Sequence, residues 1–205
     1  MVGGGPAGLT AAVALAEGGI ATALAGKKPA QGDNRTTALL ASSVTALETL
    51  GVWELCRERS APLRFLRIVD DTGRLWRAPE VKFDAEEIGL EAFGWNIENR
   101  VLVEALTRRA QALTNLTLIE DEVLGVAVAD DHGAVTLAHN GTLTAPLIVG
   151  ADGRRSLTRE AALIDIDERR YPQTALTICF RHTRPHHDTS TEFHTPSGQC
   201  TVVPL

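Results

Sequence analysis

A cluster of glycines at the start of the chain constrains its fold more than any other feature. Gly3, Gly5 and Gly8 match the spacing G-x-G-x-x-G, and the segment 6–17 that follows is rich in Ala and Leu. In a strand–turn–helix unit, the first such glycine permits a tight turn and the second lets a pyrophosphate approach the backbone. The third lets helix and strand pack closely. The spacing alone is a weak signal, but its place before a helix predicts a dinucleotide site.

A second glycine turn lies far downstream, after the apolar run 147–150. It contains Asp152 and Gly153, and a helix is predicted over 156–163. The apolar run is continuous, which is typical of a central strand in a parallel sheet. The two turns together predict one dinucleotide that is held at two points. Alternatively, the second turn only ends a strand, and Asp152 or Ser156 caps the helix that follows.

The spacing of apolar residues predicts an α/β fold. Helices are predicted over 6–17, 37–50, 53–59, 100–113 and 156–163. Strands are predicted over 20–25, 63–69, 117–119, 122–129, 134–138, 143–150, 174–182, 189–194 and 199–203. Asn140-Gly141 is a strong hairpin signal. We expect a Rossmann-like fold with inserted β-hairpins, followed by an α+β part that starts a mixed or antiparallel sheet.

One residue of the usual dinucleotide pattern is absent. An acid normally stands about 20 residues after the glycines, at the end of the second strand, where it binds ribose hydroxyls. Here the second strand is followed by Lys27 and Lys28, and no Asp or Glu occurs between Glu17 and Asp33. Either adenosine binding is weakened, or the lysines favour a 2′-phosphate and hence NADP, or they form a solvated turn.

The composition argues against several classes of function. The net charge of −6 argues against nucleic-acid binding. Cys56, Cys179 and Cys200 lie far apart, which predicts three reduced thiols in a cytoplasmic protein. No apolar run is long enough to span a membrane, and no signal peptide is recognised. No metal site is expected, because no acid or cysteine stands at ligand spacing from the histidines near the end of the chain. These are His182, His186, His187 and His194.

Several motifs in a fixed order resemble those of the ubiquinone-biosynthesis hydroxylases, which are FAD-dependent aromatic monooxygenases similar to para-hydroxybenzoate hydroxylase. The motifs are Gly3-Gly4-Gly5-Pro6-Ala7-Gly8-Leu9, Arg35-Thr36-Thr37-Ala38-Leu39, Leu50-Gly51-Val52-Trp53, Asn96-Ile97-Glu98-Asn99-Arg100 and Gly150-Ala151-Asp152-Gly153-Arg154-Arg155-Ser156. The resemblance extends over essentially the whole chain, including Tyr171-Pro172-Gln173 and Val203-Pro204-Leu205. Such a series is more specific than any one motif.

The resemblance implies roles for individual residues. Arg35 would reach the FAD pyrophosphate, and Arg100 would contact the flavin nucleotide. Asp152 and Gly153 resemble a second fingerprint that contacts FAD and is associated with NAD(P)H use. Alternatively, Arg35 and Arg100 are ordinary surface arginines. The implied cofactor-binding residues are Gly3, Gly5, Pro6, Ala7, Gly8, Arg35, Arg100, Asp152 and Gly153.

The function that the resemblance implies is an NAD(P)H-using, FAD-dependent hydroxylation of an aromatic ring. No catalytic side chain is assigned, because the flavin carries the chemistry. The substrates would be dioxygen and a polyprenylated phenol, whose tail would bring the protein to the inner face of the membrane or into a biosynthetic complex. The alternatives are a non-catalytic FAD-binding fragment, or another FAD oxidoreductase such as a prenyl reductase or a halogenase.

The resemblance also implies that the chain contains segments of two domains. Residues 1–68 and 95–165 would form a discontinuous FAD-binding domain, and residues 69–94 and 166–205 part of a substrate-binding domain. The family's third FAD motif, a Gly-Asp pair before a helix, would lie well beyond residue 205, and only Met1-Val2 precede the first glycines. A strand has about five residues, so we expect a chain truncated at both ends.

Overall fold

The computed structural model describes residues 1–27 and 34–205. Lys28 lies outside the described residues. The chain divides into two compact units, of which the first comprises Met1–Asp33 and Leu102–Thr177, and the second Asn34–Val101 and Ile178–Leu205. Residues 34–68, expected in the FAD-binding domain, lie in the second unit. The functional assignment of the expected domains stays a prediction.

The described residues form four α-helices, twelve strands and three short 3-10 helices. The α-helices are α1 (Pro6–Glu17), α2 (Ala41–Thr49), α3 (Asn99–Gln111) and α4 (Leu157–Ala161). The strands are β1 (Thr22–Ala25), β2 (Thr36–Leu40), β3 (Ser60–Pro62), β4 (Phe65–Asp70), β5 (Val81–Asp84), β6 (Gly94–Glu98), β7 (Leu116–Ile119), β8 (Val123–Val128), β9 (Gly133–Leu137), β10 (Thr142–Ala145), β11 (Thr189–Thr195) and β12 (Gly198–Val202). The 3-10 helices are Trp53–Leu55, Arg57–Arg59 and Ala85–Ile88.

Parallel pairing in the first unit gives the doubly wound strand order. β1 pairs with β7, and Val2 bridges Ala25 on one side and Gly150 on the other. The amide of Val2 donates to Val149 at 2.9 Å. The segments therefore lie side by side in the order β7, β1, Val2 and Gly150. In chain order these are the third, second, first and fourth segments, which is the strand order of a Rossmann fold. This confirms the predicted fold class and places Val2, which is 1% exposed, in the middle of the pairing.

Helix α1 follows the predicted bounds, 6–17. Pro6 occupies the start of the helix, where its missing N–H breaks no helical hydrogen bond. The amide of Gly18 donates to Ala14, and Gly19 continues with a φ of 82°, so the two glycines end the helix. The buried residues of α1 are Gly8, Leu9, Ala12, Val13 and Ala16. Helix α1 packs against β1.

The three-stranded sheet β10–β9–β8 is antiparallel throughout. Gly141 has a φ of 71° between β9 and β10, which confirms the hairpin predicted at Asn140-Gly141. Val135 and Leu137 of β9 join Val2 and Ala25 in one buried cluster. The inserted sheet therefore shares a hydrophobic core with the parallel strands.

A buried carboxylate fastens this hairpin to the end of β7. Asp121, whose side chain is 2% exposed, accepts hydrogen bonds from the amides of Glu122 (2.7 Å), His139 (3.0 Å) and Asn140 (2.9 Å). The side chains of His139 (3.0 Å) and Asn140 (2.7 Å) also bind it. The contact from the His139 side chain is the main cause of a lowered pKa at Asp121, and the other hydrogen bonds add to it against the opposing effect of burial.

Replacing Asp121 with alanine is expected to lower the melting temperature by roughly 5–10 °C at neutral pH, because three backbone amides lose their acceptor. The lowered pKa means that this carboxylate stabilises the fold above about pH 4 and loses its effect as the pH falls. The difference between wild type and D121A should therefore shrink between pH 6 and pH 3, as measured by circular dichroism. D131A is the control, since the Asp131 side chain is 88% exposed. Equal losses in both variants would contradict the assignment.

The second unit contains two sheets, with orders β12–β11–β4–β5 and β2–β6–β3. Only the pairing of β11 with β4 is parallel among the described strands of this unit, so the first of these sheets is mixed, as expected. Trp53, which is 1% exposed, meets Trp95 edge-to-face with ring centroids 5.7 Å apart. This aromatic pair anchors the turn after α2 against β6.

Three predicted elements differ from the structure. The helix predicted over 37–50 is wrong in its first part, because 36–40 pair with β6 as strand β2 and the helix begins only at Ala41. The strand predicted over 143–150 ends at 145 and resumes only as the bridge at Gly150. The strand predicted over 174–182 is absent from the described structure, where these residues are exposed. For residues 36–40, pairing with β6 overrides the local helix propensity.

Candidate functional site

The first glycine turn connects the buried Val2 to helix α1. Gly3 has a φ of 120°, a conformation that L-residues rarely adopt, and a Cβ placed there would lie 2.3 Å from the carbonyl oxygen of Ala151. A Cβ at Gly8 would lie 1.9 Å from the carbonyl oxygen of Gly3. Both positions therefore require glycine for the turn and the helix to pack, which are the roles predicted for the first and third glycines.

Gly5 differs from its neighbours, because a Cβ at this position would meet nothing within 4 Å. Its φ of −81° is accessible to any residue, so neither strain nor packing explains a glycine here. Gly5 is also the residue before the first turn of α1, which has no side-chain cap and no acidic residue. The helix leaves the amides of Ala7 and Gly8 without partners from its own backbone. Open space in front of such amides fits a phosphate.

The other side of the turn is closed by the end of β1. A Cβ at Gly26 would lie 2.4 Å from the amide nitrogen of Gly4, and one at Gly4 would lie 2.5 Å from the carbonyl oxygen of Lys27. The two backbones are therefore in direct contact. Among the described residues of the turn, Gly5 faces open space next to the first turn of α1, and this arrangement fits the pyrophosphate of a dinucleotide.

The structure brings the second glycine turn against the first. The Cβ position of Gly3 lies 2.9 Å from the amide nitrogen of Asp152, next to the contact with Ala151. Gly153 has a φ of 79°, which favours glycine. A Cβ at Gly150 would lie 2.7 Å from the Cβ of Thr158, so the start of α4 also packs closely on this turn.

The carboxylate of Asp152 organises its own turn. It accepts hydrogen bonds from the Ser156 hydroxyl at 2.6 Å, the Thr158 amide at 3.1 Å and the Thr158 hydroxyl at 3.2 Å. Burial alone would raise the pKa of Asp152, but the hydrogen bonds from Ser156 and Thr158 outweigh it and hold the pKa below its usual value. The Ser156 hydroxyl in turn accepts from the amide of Arg159 at 2.9 Å. The structure therefore shows the helix cap that was predicted as the alternative, with Ser156 at the start of α4. Contact of Asp152 with FAD stays a prediction.

The backbone of Arg35 lies beside Asn99, the residue before Arg100, at one end of the β2–β6 pair in the second unit. Thr36 is paired with Glu98, and the carbonyl oxygen of Arg35 accepts from the amide of Asn99 at 3.0 Å. Arg100 forms an ion pair with Glu98. The antiparallel pairing thus brings together two predicted site residues that are far apart in sequence, while their contact with FAD stays a prediction.

Sequence reasoning missed one charged pair at the end of β1. Lys27 Nζ lies 2.9 Å from Glu122 Oε2. Part of the signal was in the sequence, because lysines follow β1 and acids follow β7, and the carboxyl ends of neighbouring parallel strands meet at one edge of a sheet. It required knowing that β7 pairs with β1, which periodicity does not reveal.

A cleft of about 360 Å³ lies on the mixed sheet of the second unit. Ile68, Val81 and Phe83 contribute apolar side chains to its lining, and Asp70 and His194 contribute ionisable ones. Within residues 1–27 and 34–205, no three His, Cys, Asp or Glu side chains are placed to hold a metal ion. In the same residues, no helix combines the length and the apolar character needed to cross a membrane.

Comparison with known protein families agrees with the geometry of the glycine turns. The family described as FAD binding domain matches residues 1–205. The chain belongs to the FAD-binding domain family. The chain is 34% identical over 212 residues to ubiquinone hydroxylase UbiL of Rhodospirillum rubrum, covering 100% of this chain and 48% of UbiL. It is 32% identical over 214 residues to 3-demethoxyubiquinol 3-hydroxylase of Escherichia coli, covering 100% of this chain and 54% of that protein.

The chain therefore spans about half the length of these curated relatives. Solved structures agree on the fold. One is 2-methyl-3-hydroxypyridine-5-carboxylic acid oxygenase, with a TM-score of 0.67 and 21% identity over 95% of this chain and 51% of that one. Another is the flavin-dependent monooxygenase PieE in complex with FAD and substrate, with a TM-score of 0.65 and 22% identity over 81% of this chain and 32% of PieE. The resemblance inferred from the motifs is confirmed.

Proposed function

We propose that this chain is the FAD-binding part of an NAD(P)H-dependent hydroxylase that acts on an aromatic ring in ubiquinone biosynthesis. The observation that carries the proposal is the open space at Gly5, in front of an uncapped helix and between two glycines that packing does require. Similarity over the whole chain to two ubiquinone-pathway hydroxylases supports the reaction class and the substrate.

In this proposal, the first glycine turn holds the pyrophosphate of FAD. The backbone at Gly5 and the amides of Ala7 and Gly8 face the phosphates, while Pro6 fixes the start of the helix. Bound FAD supplies the redox and oxygen-transfer chemistry. Asp152 acts indirectly, because its carboxylate is engaged by Ser156 and Thr158 and so fixes the turn that contains Gly153.

In this proposal, Arg35 and Arg100 also supply positive charge for FAD. A guanidinium group is planar and permanently charged, so it suits phosphate oxygens. Arg100 is ion-paired with Glu98, which restricts its orientation. We assign Arg35 to the pyrophosphate and Arg100 to the flavin nucleotide.

The substrate in this proposal is a polyprenylated phenol, and dioxygen is the co-substrate. The largely apolar cleft with Ile68, Val81 and Phe83 lies partly within the residues expected to form the substrate-binding part, and it suits an apolar group. A polyprenyl tail would keep the substrate in the membrane, so the protein would act in the cytoplasm at the inner face of that membrane.

The test of the reaction is oxygen transfer from labelled dioxygen. The chain is supplied with FAD, NADPH, ¹⁸O₂ and a short-chain prenylated phenol of the ubiquinone pathway, and the products are analysed by mass spectrometry. One ¹⁸O atom bound to the ring is the expected result. Reduction of the prenyl tail, or halogenation when halide is present, would replace the proposal by another FAD oxidoreductase. NADPH oxidation without a ring product would contradict hydroxylation by this chain.

A non-catalytic FAD-binding fragment is the second candidate function. The observation that favours it is that the chain spans about half the length of its curated relatives. Retention of FAD with neither NADPH oxidation nor a ring product would support it.

A further inference from the structure

The end of β1 presents a lysine where dinucleotide folds usually place a ribose-binding acid. Lys27 follows Gly26 directly after the strand, and its side chain is 65% exposed. A carboxylate is the usual partner at this point because ribose hydroxyls donate hydrogen bonds and an ammonium group has no acceptor. Lys27 cannot perform the role of the missing acid.

A carboxylate nevertheless lies beside this lysine, on the segment that follows the neighbouring strand. Glu122 stands between β7 and β8, and its Oε2 lies 2.9 Å from Lys27 Nζ. β7 is the parallel neighbour of β1, with Ala25 opposite Ile119, so the segments after both strands lie at one edge of the sheet. The hydrogen bond from Gly26 to the carbonyl oxygen of Ile119, at 3.2 Å, continues this pairing past the end of β1.

This ion pair adjoins the glycine turn. A Cβ at Gly4 would lie 2.5 Å from the carbonyl oxygen of Lys27, so the turn and the base of the Lys27 side chain are in contact. Glu122 is 51% exposed in its side chain, and within the described residues its Oε1 has no partner. The backbone of Glu122 is held by two further hydrogen bonds, from its amide to Asp121 Oδ1 at 2.7 Å and from the Ala138 amide to its carbonyl oxygen at 3.0 Å.

We propose that Glu122 replaces the missing acid and binds the adenosine ribose hydroxyls of FAD. Lys27 is a positioning residue that holds Glu122 Oε2 and leaves Oε1 to accept from a ribose hydroxyl. The inference rests on the proposed function, since it assigns a further residue to the same cofactor. A carboxylate at the ribose also disfavours a nucleotide with a 2′-phosphate, because the phosphate and the Glu122 carboxylate are both negatively charged.

The test compares ADP with 2′-deoxy-ADP as competitors of FAD, whose binding is followed by quenching of flavin fluorescence. Wild type should bind ADP about tenfold more tightly than 2′-deoxy-ADP, the usual effect of one hydrogen bond to a charged group. E122A should bind ADP about tenfold more weakly than wild type and lose the discrimination. E122Q should retain part of it, because an amide oxygen still accepts. K27A should show an intermediate loss, since it removes only the orientation of Glu122.

The matched control is E17A, which removes the ion pair between Glu17 and Arg109 at the other end of α1. It should leave ADP binding and discrimination unchanged. Equal weakening of both nucleotides in E122A, or no change in either, would overturn the inference while leaving the proposed function intact. A folded wild type that binds neither FAD nor ADP would overturn both. Melting temperatures of all variants within about 2 °C of wild type are expected, because exposed ion pairs contribute little to stability.

Discussion

Replacing Gly8 with alanine is expected to destabilise the chain by about 3–5 kcal/mol, enough to unfold a protein of ordinary stability. The added Cβ would lie 1.9 Å from the carbonyl oxygen of Gly3. The obstructing atom belongs to the backbone of a turn that is itself held against Ala151, so no side-chain rotation relieves the contact. Urea denaturation followed by circular dichroism measures the loss.

The control for this prediction is G125A. A Cβ at Gly125 meets nothing within 4 Å, and the residue belongs to β8 of the same unit. Its denaturation midpoint should match wild type. A G8A variant with the wild-type midpoint would show that α1 does not pack against the turn as described.

Replacing Gly5 with alanine is expected to weaken FAD binding by about ten- to a hundredfold, or about 1.4–2.8 kcal/mol, while stability remains unchanged. The φ of −81° suits alanine, and the new methyl group would enter space that is open in the chain alone. In the proposed complex, that space would hold the pyrophosphate, so the methyl group would displace the phosphates from the amides of α1. Flavin fluorescence titration measures the affinity.

G125A again serves as the matched control, because it makes the same chemical change in open space away from the turn. It should bind FAD as wild type does. If G5A also binds FAD with wild-type affinity, the pyrophosphate does not lie at Gly5. If G5A loses stability, the space at Gly5 is not open as described.

The glycine positions and the first helix could be predicted from sequence because their causes are local. A proline at the start, a run of Ala and Leu, and a glycine pair at the end define helix 6–17 without any tertiary partner. The hairpin at Asn140-Gly141 is likewise determined by the turn residues themselves. Motif order then indicated the family, which the comparisons confirmed.

The remaining features depend on partners far away in the chain. Residues 37–40 carry helix-forming side chains, yet they pair with β6, which begins at Gly94. The contact of Glu122 with Lys27 follows from the parallel pairing of β7 with β1. The role of Asp152 as a cap, rather than an open carboxylate, depends on the hydroxyl groups of Ser156 and Thr158. The spacing of apolar residues along the sequence does not predict such long-range contacts.

The central claim is that the two glycine turns form a competent FAD site in this chain. The direct measurement is the visible absorbance spectrum of the purified protein, taken after FAD is added and the excess is removed. The account predicts retained flavin at a near-equimolar ratio, with a spectrum shifted from that of free FAD. A folded protein that retains no flavin would contradict the claim.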